Sequence, residues 1–176
     1  MCYYSDKGGD ALLYNNSLII VLDNIKVLRN LNRLKSYHEL SIKTGIPTST
    51  ISSWYSHYRP KSIYPSLKTL DRLCDAFQIH TSDLFISESK FEHDYTEKNN
   101  TMNCFRTNFN IICLEKGYSS IDSKIDLFCE DPSYSTSSAR ERYYSCFRKI
   151  NGRNIPIDQL DVLANRLDVS TNKLIT

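Results

Sequence analysis

Leu40-Ser41-Ile42-Lys43-Thr44-Gly45-Ile46-Pro47-Thr48-Ser49-Thr50-Ile51-Ser52-Ser53-Trp54 is the stretch on which the fold turns. Leu40 and Ser41 put an apolar and a small residue on the inner face of one helix. The small size of Ser41 lets a second helix cross close by. Gly45 supplies the left-handed backbone conformation that a sharp turn between two helices requires. Ile46 plugs that turn, and Thr48 to Trp54 start a new helix. Ile51 and Trp54, three apart, share its inward face, so Thr48, Ser49, Ser52, Ser53 and Ser56 fall on the outer side. A protruding rod lined with short hydrogen-bonding side chains has the size and chemistry to enter a major groove.

The flanks agree with that reading. Leu18, Val21, Leu22, Ile25, Leu28 and Leu31 recur at helical spacing ahead of the pair. After it, Pro65-Ser66 signals a helix start, and Leu67, Leu70, Leu73 and Phe77 mark one face. Thr81-Ser82-Asp83 then caps a short last helix through Leu84 and Phe85. This five-helix order resembles the Cro/cI-type, or XRE-like, phage-repressor family over residues 18–86. The resemblance rests on G-I-P-T-S-T-I-S-S-W, P-S-L-K-T-L-D-R-L and T-S-D-L-F as they stand here. It implies a sequence-specific domain for double-stranded DNA that usually acts as a symmetric homodimer. One position departs from the pattern: where members commonly carry a glutamine that braces a phosphate, this chain has Tyr37. The outer face of the second helix also lacks Arg, Lys, Asn and Gln, the strongest base readers. Modest intrinsic specificity is expected, aided by DNA shape and by a second binding unit.

A candidate for that second unit lies downstream. At an offset of 90 residues, Leu70, Leu73, Phe77, Ile79, Thr81 and Leu84 meet Leu160, Leu163, Leu167, Val169, Thr171 and Leu174, and Trp54 meets Tyr144. Phe105, Phe109, Ile112, Tyr118, Ile121 and Ile125 continue a helical pattern upstream, with Glu130 to Tyr134 inserted where the first copy turns tightly. The expected fold is therefore all-α, two tandem five-helix lambda-repressor-like helix-turn-helix bundles. Residues 1–17 form a lead-in, 18–86 the first domain, 87–103 a linker and 104–176 the diverged copy. As a free coil the linker spans about 23 Å, and fully stretched about 60 Å, against ~34 Å between half-sites on one DNA face.

The copy lacks a turn glycine, and Glu141 falls where Ile51 sits in the first. A shifted register would bring Ala139, Tyr143, Cys146 and Ile150 inward. Arg140, Arg142, Arg148, Lys149 and Arg153 would then form a basic stripe near the surface. Phosphate contact, a plain solvated helix face and a dimer interface all remain open for it.

Composition bounds the function. With 40% hydrophobic residues and only 5 glycines the chain is globular, and no stretch is long enough to span a membrane. No signal peptide is visible, so a cytoplasmic location is expected. Net charge is +2, but residues 23–85 carry nine Lys and Arg against five Asp and Glu, which leaves the basic excess in the first domain. The cysteines read as reduced structural thiols, with a redox-sensing pair as the alternative; none has metal-site spacing. His38, His57, His80 and His93 are scattered, Glu92-His93-Asp94 reads as solvated linker, and no catalytic motif appears. No enzyme activity, cofactor or metal is expected.

The first functional expectation is a transcriptional regulator, a repressor from a phage or other mobile element, binding as a dimer or pseudo-dimer. Thr48, Ser49, Ser52, Ser53 and Ser56 would read bases, while Tyr37, Lys43, His57, Arg59, Lys61 and Lys68 hold phosphates. For His57 an ordinary surface position is the alternative. The second expectation is a protein-binding inhibitor, anti-CRISPR- or antitoxin-like, that reuses the fold against a host protein. Its surface would be the Tyr143, Tyr144 and Phe147 cluster.

Overall fold

Apolar residues at helical spacing, punctuated by Ser and Asn caps, become nine α-helices and one 3-10 helix among the described residues of the computed structural model. No strand occurs among the described residues, which are 17–56, 64–87, 91, 95, 97–129, 136–147 and 154–176. The helices are α1 (Ser17–Leu31), α2 (Tyr37–Thr44), α3 (Thr48–Trp54), α4 (Leu67–Phe77), the 3-10 helix (Thr81–Phe85), α5 (Thr101–Glu115), α6 (Ile121–Asp126), α7 (Thr136–Phe147), α8 (Ile157–Arg166) and α9 (Thr171–Ile175). The chain is all-α, as the periodicity predicts. One buried apolar cluster runs from Val21 through Trp54, Leu73, Phe109 and Tyr143 to Ile175, so the core is continuous from end to end.

The apolar stripe of α1 is shorter than its spacing suggests. Val21, Leu22, Ile25 and Leu28 are buried, but Leu31 is 65% exposed and Leu18 only half-buried. A polar residue completes the stripe. The buried Asn24 amide donates to the carbonyls of Leu84 and Ile86, both at 2.9 Å, hooking α1 onto the end of the 3-10 helix. Those carbonyls would otherwise be orphaned. Pro65 stands two residues before α4 rather than inside it. Thr81 is the first residue of the 3-10 helix rather than its cap; its hydroxyl goes to Asp71 instead.

That hydroxyl belongs to a contact made twice. Asp71 on α4 accepts from the Thr81 hydroxyl at 2.7 Å and from the Thr101 backbone N–H and hydroxyl at the start of α5. Ninety residues on, Asp161 on α8 accepts from the Thr171 hydroxyl at 2.7 Å and from the Ser17 backbone N–H, at the start of α1, at 3.1 Å. Each carboxylate thus holds the N-terminus of the opposite half's first helix, where negative charge is favoured. The seam between the halves is equally reciprocal. Leu67 N–H donates to Ile155 O and Ile157 N–H to Pro65 O, each at 3.1 Å, a short antiparallel bridge centred on Ser66 and Pro156. Around it α1 packs on α8, α4 on α5, and the 3-10 helix on α9. Asn154 adds a contact without a counterpart, accepting from the Lys68 N–H at 2.9 Å and so capping α4 from the other half.

The linker differs from expectation. Thr101 to Asn103 belong to α5, and Thr101 is buried. Ahead of them, Tyr95 donates its hydroxyl to Asp75 at 2.7 Å, and Asn99 donates its backbone and side-chain N–H groups to the same oxygen at 2.9 Å. Asn99 also accepts from Thr81 N–H, and Phe91 packs against the core. The described linker residues are tied to α4 and the 3-10 helix, so the free-coil reach of 23 Å does not apply to them.

Candidate nucleic-acid interface

The turn between α2 and α3 is built as its sequence requires. Ser36 caps α2 by accepting from Glu39 N–H, and Glu39 accepts in return from Lys35 N–H. At the other end Gly45 takes φ 67° and donates to Ser41 O at 2.7 Å. Thr44, buried, donates its hydroxyl to Leu40 O at 2.8 Å and accepts from Ile46 N–H, which locks the turn from inside. The Arg72 guanidinium lies over Gly45, in the space a Cβ would fill. The left-handed backbone disfavours a larger residue there, while the flexible Arg72 tip could swing aside to make room.

The outer face of α3 is presented as predicted. Ile51 and Trp54 are buried at 0% and 5% exposure, Ser49 and Ser52 are exposed, and Thr48, Ser53 and Ser56 are half-buried. The hydroxyls also have a direction. Ser52 donates to Ser49 O at 3.0 Å and Ser53 to Thr50 O at 2.6 Å. With their protons used on the helix's own carbonyls, these oxygens offer lone pairs outward.

The phosphate candidates fare unevenly. Lys68 is exposed in the first turn of α4. Lys43 reaches back instead, its ammonium 5.0 Å from the Phe77 ring centre, where the π-face attracts it. Tyr37 is held by both faces of its ring, stacked on Tyr55 at 5.3 Å with the Arg29 guanidinium 4.7 Å from its centre. Tyr55 in turn donates to Leu22 O, and burial pushes its phenol well above the usual range. Tyr37 therefore braces α2 against α1 and α3. His57, Arg59 and Lys61 lie outside the described residues.

In the second half α7 takes the shifted register. Ala139, Tyr143 and Cys146 are buried and Arg140, Glu141 and Tyr144 exposed; Ile150 lies outside the described residues. The pairing of Trp54 with Tyr144 therefore fails, since one is buried and the other 42% exposed. In burial, Tyr143 and Cys146, ninety-two residues on, match Ile51 and Trp54. Ile121, expected inside, is also exposed, at 55%.

Of the basic stripe, Arg140 is exposed and pairs with Asp122 at 3.5 Å, and Arg142 is half-buried. Arg148, Lys149 and Arg153 lie outside the described residues. The aromatic cluster is not a surface. Tyr143 stacks on Phe147 at 4.7 Å within a ring assembly that includes Phe105, Phe109 and Phe128. Tyr144 stands at its edge, 42% exposed, with its ring 5.4 Å from that of Tyr143. Two further arginines hold the frame together, a role their sequence positions do not reveal: Arg106 donates to Cys146 O at 2.8 Å and Arg166 to Leu127 O at 2.6 Å.

Cys74, Cys113 and Cys146 are buried free thiols; burial raises all three, Cys113 to about 11, which disfavours thiolate chemistry. No metal-binding cluster and no helix long and apolar enough to cross a membrane occurs among the described residues.

A glycine-turned helix pair that presents hydroxyl acceptors on a rod anchored by an isoleucine and an indole defines a DNA-binding regulator. Residues 24–90 match the family model of the Cro/C1-type helix-turn-helix DNA-binding domain, and that segment of the chain is such a domain. No curated protein and no solved structure matches the chain.

Proposed function

We propose that the chain is a sequence-specific transcriptional regulator, a repressor of a phage or other mobile element, working on DNA in the cytoplasm without enzymatic chemistry. The observation that carries this is the exposure of Ser49 and Ser52 on a helix whose Ile51 and Trp54 are fully engaged in the core. Ser52 and Ser53, with their protons turned inward, are suited to accept from the amino groups of adenine and cytosine. Thr48 offers a methyl to thymine. Lys68 supports the rod from α4 as a phosphate contact, and Arg59 and Lys61 add charge on the chain between them.

The test is a gel shift across salt concentrations on a duplex enriched from a random pool. Lys68→Ala should weaken binding to every sequence and reduce the salt slope by about one. Ser52→Ala should alter base preference at one position and leave the salt slope unchanged. Absence of binding to any duplex at low salt defeats the proposal.

A further inference from the structure

We infer that this chain is its own dimer: residues 101–176 form a second helix-turn-helix unit, paired with the first about a local two-fold axis, and α7 reads a different half-site through Arg140, Glu141 and Tyr144. This deepens the DNA-binding proposal and rests on it.

Apart from the Asn154 cap on α4, the contacts described across the seam have their mirrors. Asp71 holds the start of α5 as Asp161 holds the start of α1, and Thr81 and Thr171 support them identically from their own halves. The bridge pairs Leu67 with Ile155 and Ile157 with Pro65, which is the same bond read from either half. α1 on α8 repeats α4 on α5, and the 3-10 helix meets α9, its own counterpart. Even the left-handed helix ends recur, Gln78 at φ 56° and Asp168 at φ 52°. Such reciprocity is the mark of a two-fold interface. Here one chain supplies both sides, so that face has no place for a second copy.

The axis also places the reading helices. The chain leaving α3 enters the seam at Pro65–Leu67, and the chain leaving α7 enters it at Ile155–Ile157. Each strand of the bridge thus follows one helix-turn-helix unit in the chain, an order that suits two half-sites on one duplex. With Tyr143 and Cys146 in the places of Ile51 and Trp54, the outward positions Thr48, Ser49 and Ser52 become Arg140, Glu141 and Tyr144. These are stronger readers than the residues they replace. Arginine matches the O6 and N7 acceptors of guanine, and glutamate accepts from the cytosine amino group. The Arg140–Asp122 pair is exposed at both ends and weak enough to exchange for a base. The site that follows is not a palindrome. One half suits hydroxyls and thymine methyls, and the other contains G·C pairs.

The decisive experiment is random-oligonucleotide selection on the full chain, with the mass of the complex measured on the enriched duplex. Wild type should enrich one asymmetric site, two unlike halves about one helical turn apart, holding a single chain. Arg140→Ala and Glu141→Ala should each erase preference in the G·C half alone and lower affinity roughly tenfold. Ser52→Ala should affect only the other half. A palindromic site carrying two chains would overturn the internal pairing. A single Ser52-dependent half, indifferent to Arg140→Ala, would overturn reading by α7 while leaving the general proposal standing. No enrichment from any pool would remove the DNA reading itself, and this inference with it.

Discussion

α3 and α7 do the same mechanical job with different parts. Each packs an inner face on a preceding helix. α3 anchors with a branched aliphatic and an indole, α7 with an alanine, a phenol and a thiol. α3 arrives through a glycine turn, α7 through a longer connection without one. Their outer faces differ more: hydroxyls on one, an arginine, a glutamate and a tyrosine on the other. The lesson is that outer chemistry and inner anchoring are separable. α7 presents a different set of side chains from α3, while the seam contacts of the two halves agree.

The comparison breaks hardest at the anchors. Trp54→Ala should cost about 3–5 kcal/mol, since a large buried ring leaves a cavity that the short α3 cannot close. Cys146→Ala, at the corresponding place, should cost about 1 kcal/mol. Urea unfolding of both variants measures the difference, and equal losses would mean that the correspondence is misread.

The paired carboxylates should give a smaller effect. Asp71→Ala strands the Thr81 hydroxyl and both groups of Thr101, and Asp161→Ala strands the Thr171 hydroxyl and both groups of Ser17. At about 1–3 kcal/mol for each buried donor left without any partner, and less where water enters, both should destabilise by similar amounts. Hydrogen exchange at the first turns of α5 and α1 would show which helix end is released. Release of the helix end within the mutated half, rather than across the seam, would contradict the reciprocal clamp.

The smallest effect concerns pH. Burial raises the carboxyl groups of Asp71 and Asp161 above 3.8 despite the donors around them. As pH falls from neutral through their raised values toward 3.8, the folded chain takes up protons that the unfolded chain does not. These two sites therefore add stability on the acid side of neutrality and withdraw it as pH rises. Asp75 runs the other way. Desolvation pushes it up, but hydrogen bonds from Tyr95 and Asn99 outweigh that and hold it below 3.8, so its contribution is lost only in stronger acid. Followed by urea midpoint as pH is lowered from 7 toward 3.8, wild type should gain stability relative to Asp71→Asn and relative to Asp161→Asn.

The helix-turn-helix was legible because its signals are local. A turn glycine, a plug and two anchors three apart need no knowledge of the rest of the chain. The 90-residue recurrence was legible where the seam keeps both halves in step, from Leu70 and Leu160 onward. It failed at Trp54 and Tyr144, one buried and the other exposed. Lys43 and Tyr37 make ring contacts that their spacing does not reveal. A long side chain placed outward by periodicity can still fold back onto a ring or be sandwiched by one. The clamp was hidden because Asp71 and Asp161 look like ordinary acids on amphipathic helices. Their signal was the recurrence of a carboxylate and a threonine, ten apart, in both halves.

The clamp on Ser17 has a consequence for how the molecule is made. Its acceptor, Asp161, lies 144 residues downstream. A ribosome that has released α1 to α4 has delivered the hydroxyl-faced rod but not yet the carboxylate that seats the first helix. Seating of the first helix therefore waits on a segment far downstream, and a message cut short upstream of α8 yields a helix-turn-helix without that brace.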